Sequence, residues 1–127
     1  KAKSWFDNRA EKGIQIDSNE QFLYIKSEYK ILRINHSDIK YIEGMREYVK
    51  IHLVNQKPVM SLISMKKLEE FLPEAKFMRV HRSYIVNLDK ITTIERSRII
   101  FDGDVYIPVS EQYSQRFQEY LNKNFLM

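Results

Sequence analysis

The chain has 127 residues, 43% hydrophobic and 30% charged, with 21 Lys and Arg against 17 Asp and Glu for a net charge of +4. That is the size of one domain with enough apolar residues for a real core, while the lack of cysteine excludes a disulfide framework, a thiolate metal site and a cysteine nucleophile. Nothing approaches the ~18 apolar residues of a membrane span, no apolar stretch follows Lys1 and Lys3 as in a signal peptide, and the glycines, Gly13, Gly44 and Gly103, are too few for a phosphate-binding loop.

Residues 1–20 are polar apart from Trp5 and Phe6, and read as a linker remnant from an upstream domain; the chain has no initiator Met and is expected to be a piece of a longer protein. Residues 21–127 read as one folded unit. From Phe22 onward, short runs rich in Ile, Val, Tyr and Phe alternate with turn signals, as strands do. Phe22–Lys26 and Tyr29–Ile34 flank Ser27-Glu28 as a hairpin, and Asp38–Glu43 leads to Gly44 and a loop with Arg46 and Glu47. Tyr48 to Leu53 is the cleanest alternation: Val49, Ile51 and Leu53 share one face, and Tyr48, Lys50 and His52 the other. The second face is expected to be wet or to meet a partner.

Asn55-Gln56 turns the chain into Val59–Ile63. Ser64 is placed to cap a short helix with Met65, Leu68, Phe71 and Leu72 at helical spacing, closed by Pro73. Phe77–Val80 and Tyr84–Asn87 are extended pieces around His81-Arg82-Ser83, and Ile91–Glu95 and Arg98–Phe101 read as strands. Asp102-Gly103 is the strongest hairpin signal, because glycine tolerates the positive φ of a type I′ turn. Val105, Ile107 and Val109 alternate inward, and Pro108 marks a sheet edge or strand end. Ser110 caps a last helix whose Tyr113, Phe117, Tyr120 and Leu121 form one stripe. Eight to ten short strands and two short helices, without long helices between strands, predict a mainly β, antiparallel fold.

The charge is unevenly spread. Residues 76–98 hold Lys76, Arg79, Arg82, Lys90, Arg96 and Arg98 against Asp89 and Glu95, so the entire net charge falls in this stretch. Concentrated positive charge attracts polyanions. His36, His52 and His81 have no metal-ligand spacing, no nucleophile elbow is present, and no signature pairs two carboxylates, so neither a metal, a cofactor nor an enzymatic activity is expected. Arginine can bond guanine through O6 and N7, and glutamine can do the same for adenine through N6 and N7. Arg46, Arg82 and Ser110–Gln112 lie at element ends where side chains project; Lys66, Lys67, Arg79 and Ser83 suit phosphate oxygens, as do the helix-capping Ser64 and Ser110. Each also has an ordinary structural role: Arg82 as a surface cation, His81 as a packing histidine, Lys66-Lys67 as a solvated helix face, Tyr48 as cover for the sheet.

Residues 77–87, Phe-Met-Arg-Val-His-Arg-Ser-Tyr-Ile-Val-Asn, resemble the signature of LytTR-type DNA-binding domains, the C-terminal output modules of LytR/AlgR-family response regulators. Asp38–Gly44 with Tyr48–His52, Ser64–Glu69 and Val105–Ser110 resemble the segments flanking that signature, and the likeness runs from about Phe22 to Phe125. The resemblance implies an elongated stack of antiparallel sheets with two short helices, in a cytoplasmic bacterial transcription regulator whose loops read successive major grooves of double-stranded DNA. An upstream receiver domain and self-association on repeated half-sites are implied with it. Base-reading positions carry over to Arg46 and Glu47, to Arg82, and to Ser110, Glu111 and Gln112; phosphate contacts carry over to Tyr48, Ser64, Lys66, Lys67, Arg79, His81, Ser83 and Arg116. The third loop departs from the family, which commonly has arginine where Glu111 stands. Either that carboxylate accepts from cytosine N4, or it turns away and Gln112 or Arg116 takes over. The alternative function is a β-rich protein-interaction module, with Tyr48, Lys50 and His52 as its face and only non-specific affinity for DNA.

Overall fold

The computed structural model describes residues 21–124. The linker with Trp5 and Phe6, and the last residues from Phe125, lie outside the described residues. Strands β1 (Phe22–Ser27) and β2 (Lys30–Asn35) form a hairpin, and a 3-10 turn at His36–Asp38 leads into β3 (Ile39–Gly44). β4 (Val49–Leu53), β5 (Val59–Ser61) and helix α1 (Met65–Phe71) follow, then β6 (Phe77–His81) and β7 (Tyr84–Asn87). After a second 3-10 turn at Leu88–Lys90 come β8 (Thr93–Glu95), β9 (Arg98–Phe101), β10 (Val105–Pro108) and α2 (Glu111–Asn124). The central sheet has the order β5-β4-β3-β7-β6; β10-β9-β8 and β1-β2 form two smaller sheets, and all the pairings are antiparallel.

The central sheet is apolar on both faces because it separates two cores. Ile39, Ile42, Val49, Ile51, Leu53, Phe77 and Ile85 face Leu23, Ile25 and Ile34 of the hairpin and Leu68 and Leu72 at α1. Tyr41, Val80 and Val86 point the other way, against Ile99, Phe101 and Ile107 of the three-stranded sheet and Phe117 of α2. Two bulges adjust this alternation, one in β3 between Ile39 and Tyr41 and one in β6 between Arg79 and His81. A bulge re-aims side chains locally, and the second lies directly before Arg82.

Several sequence expectations shift. The first hairpin turns at Glu28-Tyr29, one residue later than expected, with Ser27 paired to Lys30 and Glu28 at φ 58°. The strand expected from Ile91 begins at Thr93, because Ile91 follows a 3-10 turn and packs on the second core. Phe71 leaves the expected α1 stripe and is 58% exposed, since the helix ends there. The 14 residues of α2 make it longer than a short helix. The outer face of β4 is not open: His52 stacks on Tyr41 at 4.2 Å between ring centroids, and Tyr48, Lys50 and His52 are all half-buried. At the expected hairpin, Asp102 and Gly103 both take positive φ, 57° and 79°, and the loop extends to Asp104 before β10 resumes. Pro108 ends β10, an edge strand, where its missing N–H costs no ladder bond.

Asn87 locks the strands from within. It is 2% exposed, and its amide donates to the carbonyls of His36 (3.2 Å) and Ile39 (2.8 Å) while its oxygen accepts from the Asp89 amide (3.0 Å). One side chain therefore satisfies three backbone groups where β3 and β7 meet their 3-10 turns.

Candidate nucleic-acid interface

The β6–β7 turn, Arg82-Ser83, is held from several directions. Ser83 N donates to His81 Nδ1 at 3.1 Å, which leaves the proton of a neutral His81 ring on Nε2. Gly44 N at the end of β3 donates to Ser83 O at 2.7 Å. The Arg79 guanidinium donates to the carbonyls of Arg82 and of His81, the latter at 3.4 Å. The Arg82 side chain itself is exposed, whereas Ser83 and His81 are half-buried and the His81 ring lies edge-on to Tyr84 at 5.6 Å.

Other expected contact residues converge on this turn. Gly44 is closely approached by two segments: a Cβ would lie 2.9 Å from Met65 Cγ, which would have to shift, and 3.6 Å from Ser83 Cα. It thus joins the β3–β4 loop, the start of α1 and the Arg82 turn. Arg46, Glu47, Tyr48, Ser64 and Met65 line one shallow depression, in which Arg46 and Glu47 are exposed and Tyr48 is half-buried. The loop is closed by Met45 N donating to Tyr48 O at 2.8 Å. Ser64 Oγ accepts from Lys67 N at 3.1 Å, the expected cap, and leaves Lys66 and Lys67 exposed on the first turn. The start of α2 is tied to β6 by Ser110 N donating to Val80 O at 2.9 Å, two residues before Arg82. Glu111, Gln112 and Arg116 are exposed on α2.

The basic stretch does not form one patch. Lys76 and Lys90 lie at the opposite end of the β6–β7 hairpin from Arg82, where Leu88 N donates to Lys76 O. Arg98 lies over the Tyr106 ring at 5.1 Å, and Arg79 pairs with Glu69 at 3.0 Å, with its side chain only 17% exposed. The expected phosphate contact at Arg79 meets a guanidinium already engaged with three acceptors of its own chain. Sequence reasoning missed Glu69 and Gly44 as residues that shape this edge, and Asn87 as the clamp at the opposite end of the hairpin. A lone glycine at a strand end was the one available signal, since it marks close approach of another segment.

The profile of the LytTr DNA-binding domain matches residues 29–122, well over half of the sequence. The chain belongs to the LytTr DNA-binding domain family. It is 30% identical over 115 residues to the sensory transduction protein LytT of Bacillus anthracis, covering 87% of this chain and 46% of that protein. It is also 28% identical over 120 residues to LytT of Enterococcus faecalis, covering 91% of this chain and 48% of the relative. This LytTr domain therefore spans about half the length of the relatives it matches. A solved LytTr DNA-binding domain from Bacillus cereus superposes with a TM-score of 0.68 at 24% identity, covering 80% of this chain and 97% of that one, and shares the fold. Among the described residues, no helix is long and apolar enough to cross a membrane.

Proposed function

We propose that this LytTr domain reads a specific double-stranded DNA sequence as the output module of a bacterial two-component response regulator that controls transcription. Three projections read bases: Arg46 and Glu47, then Arg82, then Ser110, Glu111 and Gln112. Tyr48, Ser64, Lys66, Lys67, His81, Ser83 and Arg116 contact phosphates and fix the register. The observation that carries the reading is the exposed Arg82 side chain on a turn whose backbone is bound by Arg79, His81 and Gly44. On a fixed backbone only the side-chain torsions remain to be ordered, and the planar fork spreads that cost over two bonds to guanine. The convergence of the other two projections on the same edge supports it.

The domain acts in the cytoplasm, without catalysis or cofactor. Two copies occupy repeated half-sites, brought together by an upstream receiver domain; the roughly twofold greater length of the relatives leaves room for one.

Selection from a randomised duplex library on the purified chain, sequenced across a salt series, tests the reading. The expected result is an enriched motif repeated at helical-turn spacing, with Arg82→Ala losing ~1–3 kcal/mol and relaxing preference at one base. Salt-sensitive retention without a motif overturns it and leaves a basic surface alone.

A further inference from the structure

Arg79 lies on β6, an edge strand of the central sheet, just before the bulge that leads into the turn. Its guanidinium spans three groups: Nη1 donates to Glu69 Oε1 of α1 at 3.0 Å, Nε to His81 O at 3.4 Å, and Nη2 to Arg82 O. A planar fork with fixed donor directions holds its acceptors in one arrangement, which an ammonium on a flexible stem does not do. The carboxylate it uses is carried by the same helix that presents Lys66 and Lys67. So one side chain ties the α1 contacts to the Arg82 turn.

We infer that Arg79 is the positioning residue for Arg82: braced on Glu69, it fixes the carbonyls of His81 and Arg82, in the peptide groups on either side of Arg82, and thereby sets the direction in which Arg82 leaves the backbone. The inference rests on the reading of Arg82 as a base contact. It assigns Arg79 an internal task in place of a direct phosphate contact. The opposite charges of Arg79 and Glu69 make the two roles separable by sign. As a phosphate contact, Arg79 acts through its charge, so Arg79→Lys retains most affinity and Glu69→Ala, which removes a negative charge near DNA, strengthens binding. As a brace, both substitutions weaken discrimination.

The experiment uses the 127-residue chain, with Arg79→Lys and Glu69→Ala beside the parent. Circular dichroism and thermal melting identify a variant that fails to fold, in which case the other carries the comparison. Amide hydrogen exchange at Gly44 and Ser83, whose bonds close the turn, is expected to quicken about tenfold in a folded variant. The binding probe is the duplex enriched from the random library, compared with the same duplex changed at the base that Arg82→Ala ceases to read. The ratio of the two dissociation constants is expected to fall roughly 5- to 10-fold in each variant, with an unchanged salt slope. In an Arg82→Ala background the same substitutions are expected to change that ratio little. Unchanged exchange at both amides overturns the brace. Faster exchange with unaltered discrimination overturns its positioning role. A parent that enriches no duplex defeats the DNA-reading function itself and the positioning role with it, while faster exchange still establishes the brace as a structural contact.

Discussion

Tyr41 and His52 are cross-strand partners on β3 and β4, stacked at 4.2 Å with 19° between their rings, and Glu43 Oε1 lies 3.1 Å from His52 Nε2. Burial lowers the His52 pKa below its usual 6.5, against an opposing pull from Glu43, and pushes the Tyr41 hydroxyl up to about 12, with the Glu43 charge adding to the rise. Both rings are thus kept neutral over the second core.

A pH dependence of stability follows. Near pH 6.5 the unfolded chain protonates His52 while the folded chain resists, so between that value and the lower folded one the unfolded state binds more protons. Stability from this residue is complete above pH 6.5 and lost as the pH falls toward the folded value. The melting temperature is expected to drop between pH 7.5 and 5.5, and less steeply in His52→Gln. An identical slope in that variant assigns the loss to other groups. Tyr41 has the reverse sign, with stability present below pH 10 and lost as the pH rises toward 12.

Asn87→Asp is close to isosteric but replaces the amide donor with an oxygen facing the carbonyls of His36 and Ile39. We expect a loss of about 2–4 kcal/mol in urea denaturation, since two buried acceptors lose their donor and the buried carboxylate keeps the Asp89 amide but gains no counter-charge. A loss below ~1 kcal/mol contradicts the three-bond clamp.

Gly44→Ala forces Met65 aside, and because that side chain is flexible the cost is expected to be about 1 kcal/mol. Gly44→Val adds branches beside Ser83 and is expected to cost more and to weaken specific DNA binding. Equal stability and affinity in both variants contradict the close junction of β3, α1 and the Arg82 turn.

The β8–β9 turn runs through Arg96 and Ser97 at φ 53° and 63°, where neither residue is favoured. Ser97→Gly relieves that strain and is expected to raise stability by about 0.5–1 kcal/mol in a thermal melt, after allowance for glycine's unfolded-state entropy. A lower melting temperature refutes it.

Lys66→Ala is expected to weaken binding to all duplexes alike and to reduce the salt slope by about one. A selective loss at one base identifies Lys66 as a base contact instead.

The strands were legible because their alternation is local: Val49, Ile51 and Leu53 announce their shared face in five residues, and Asp102-Gly103 marks a turn with positive φ. The family was legible through residues 77–87 and their flanks. What the sequence concealed was tertiary. His52 follows the polar side of the alternation, yet the Tyr41 ring and Glu43 of the neighbouring strand cover it, and alternation reports two faces without saying what lies on each. Arg79 reads as a free cation because Glu69, its partner, lies ten residues back on a helix. The bulge that aims these residues depends on strand pairing between β6 and β7, which no single segment encodes. The basic run divided for the same reason: a hairpin sends neighbours in sequence to opposite ends.

The edges of the two larger sheets have a consequence for assembly. β5 and β8 have only three residues each, β6 is interrupted by its bulge, and β10 closes on Pro108. Short, kinked or proline-ended borders offer a neighbour too few consecutive backbone groups to extend a ladder. If two copies occupy adjacent half-sites as proposed, they are therefore discouraged from fusing into a continuous sheet. On that reading they come and go as separate particles, and any cooperation between them runs through side chains, a tethered domain or the bending of the duplex rather than through a shared backbone ladder.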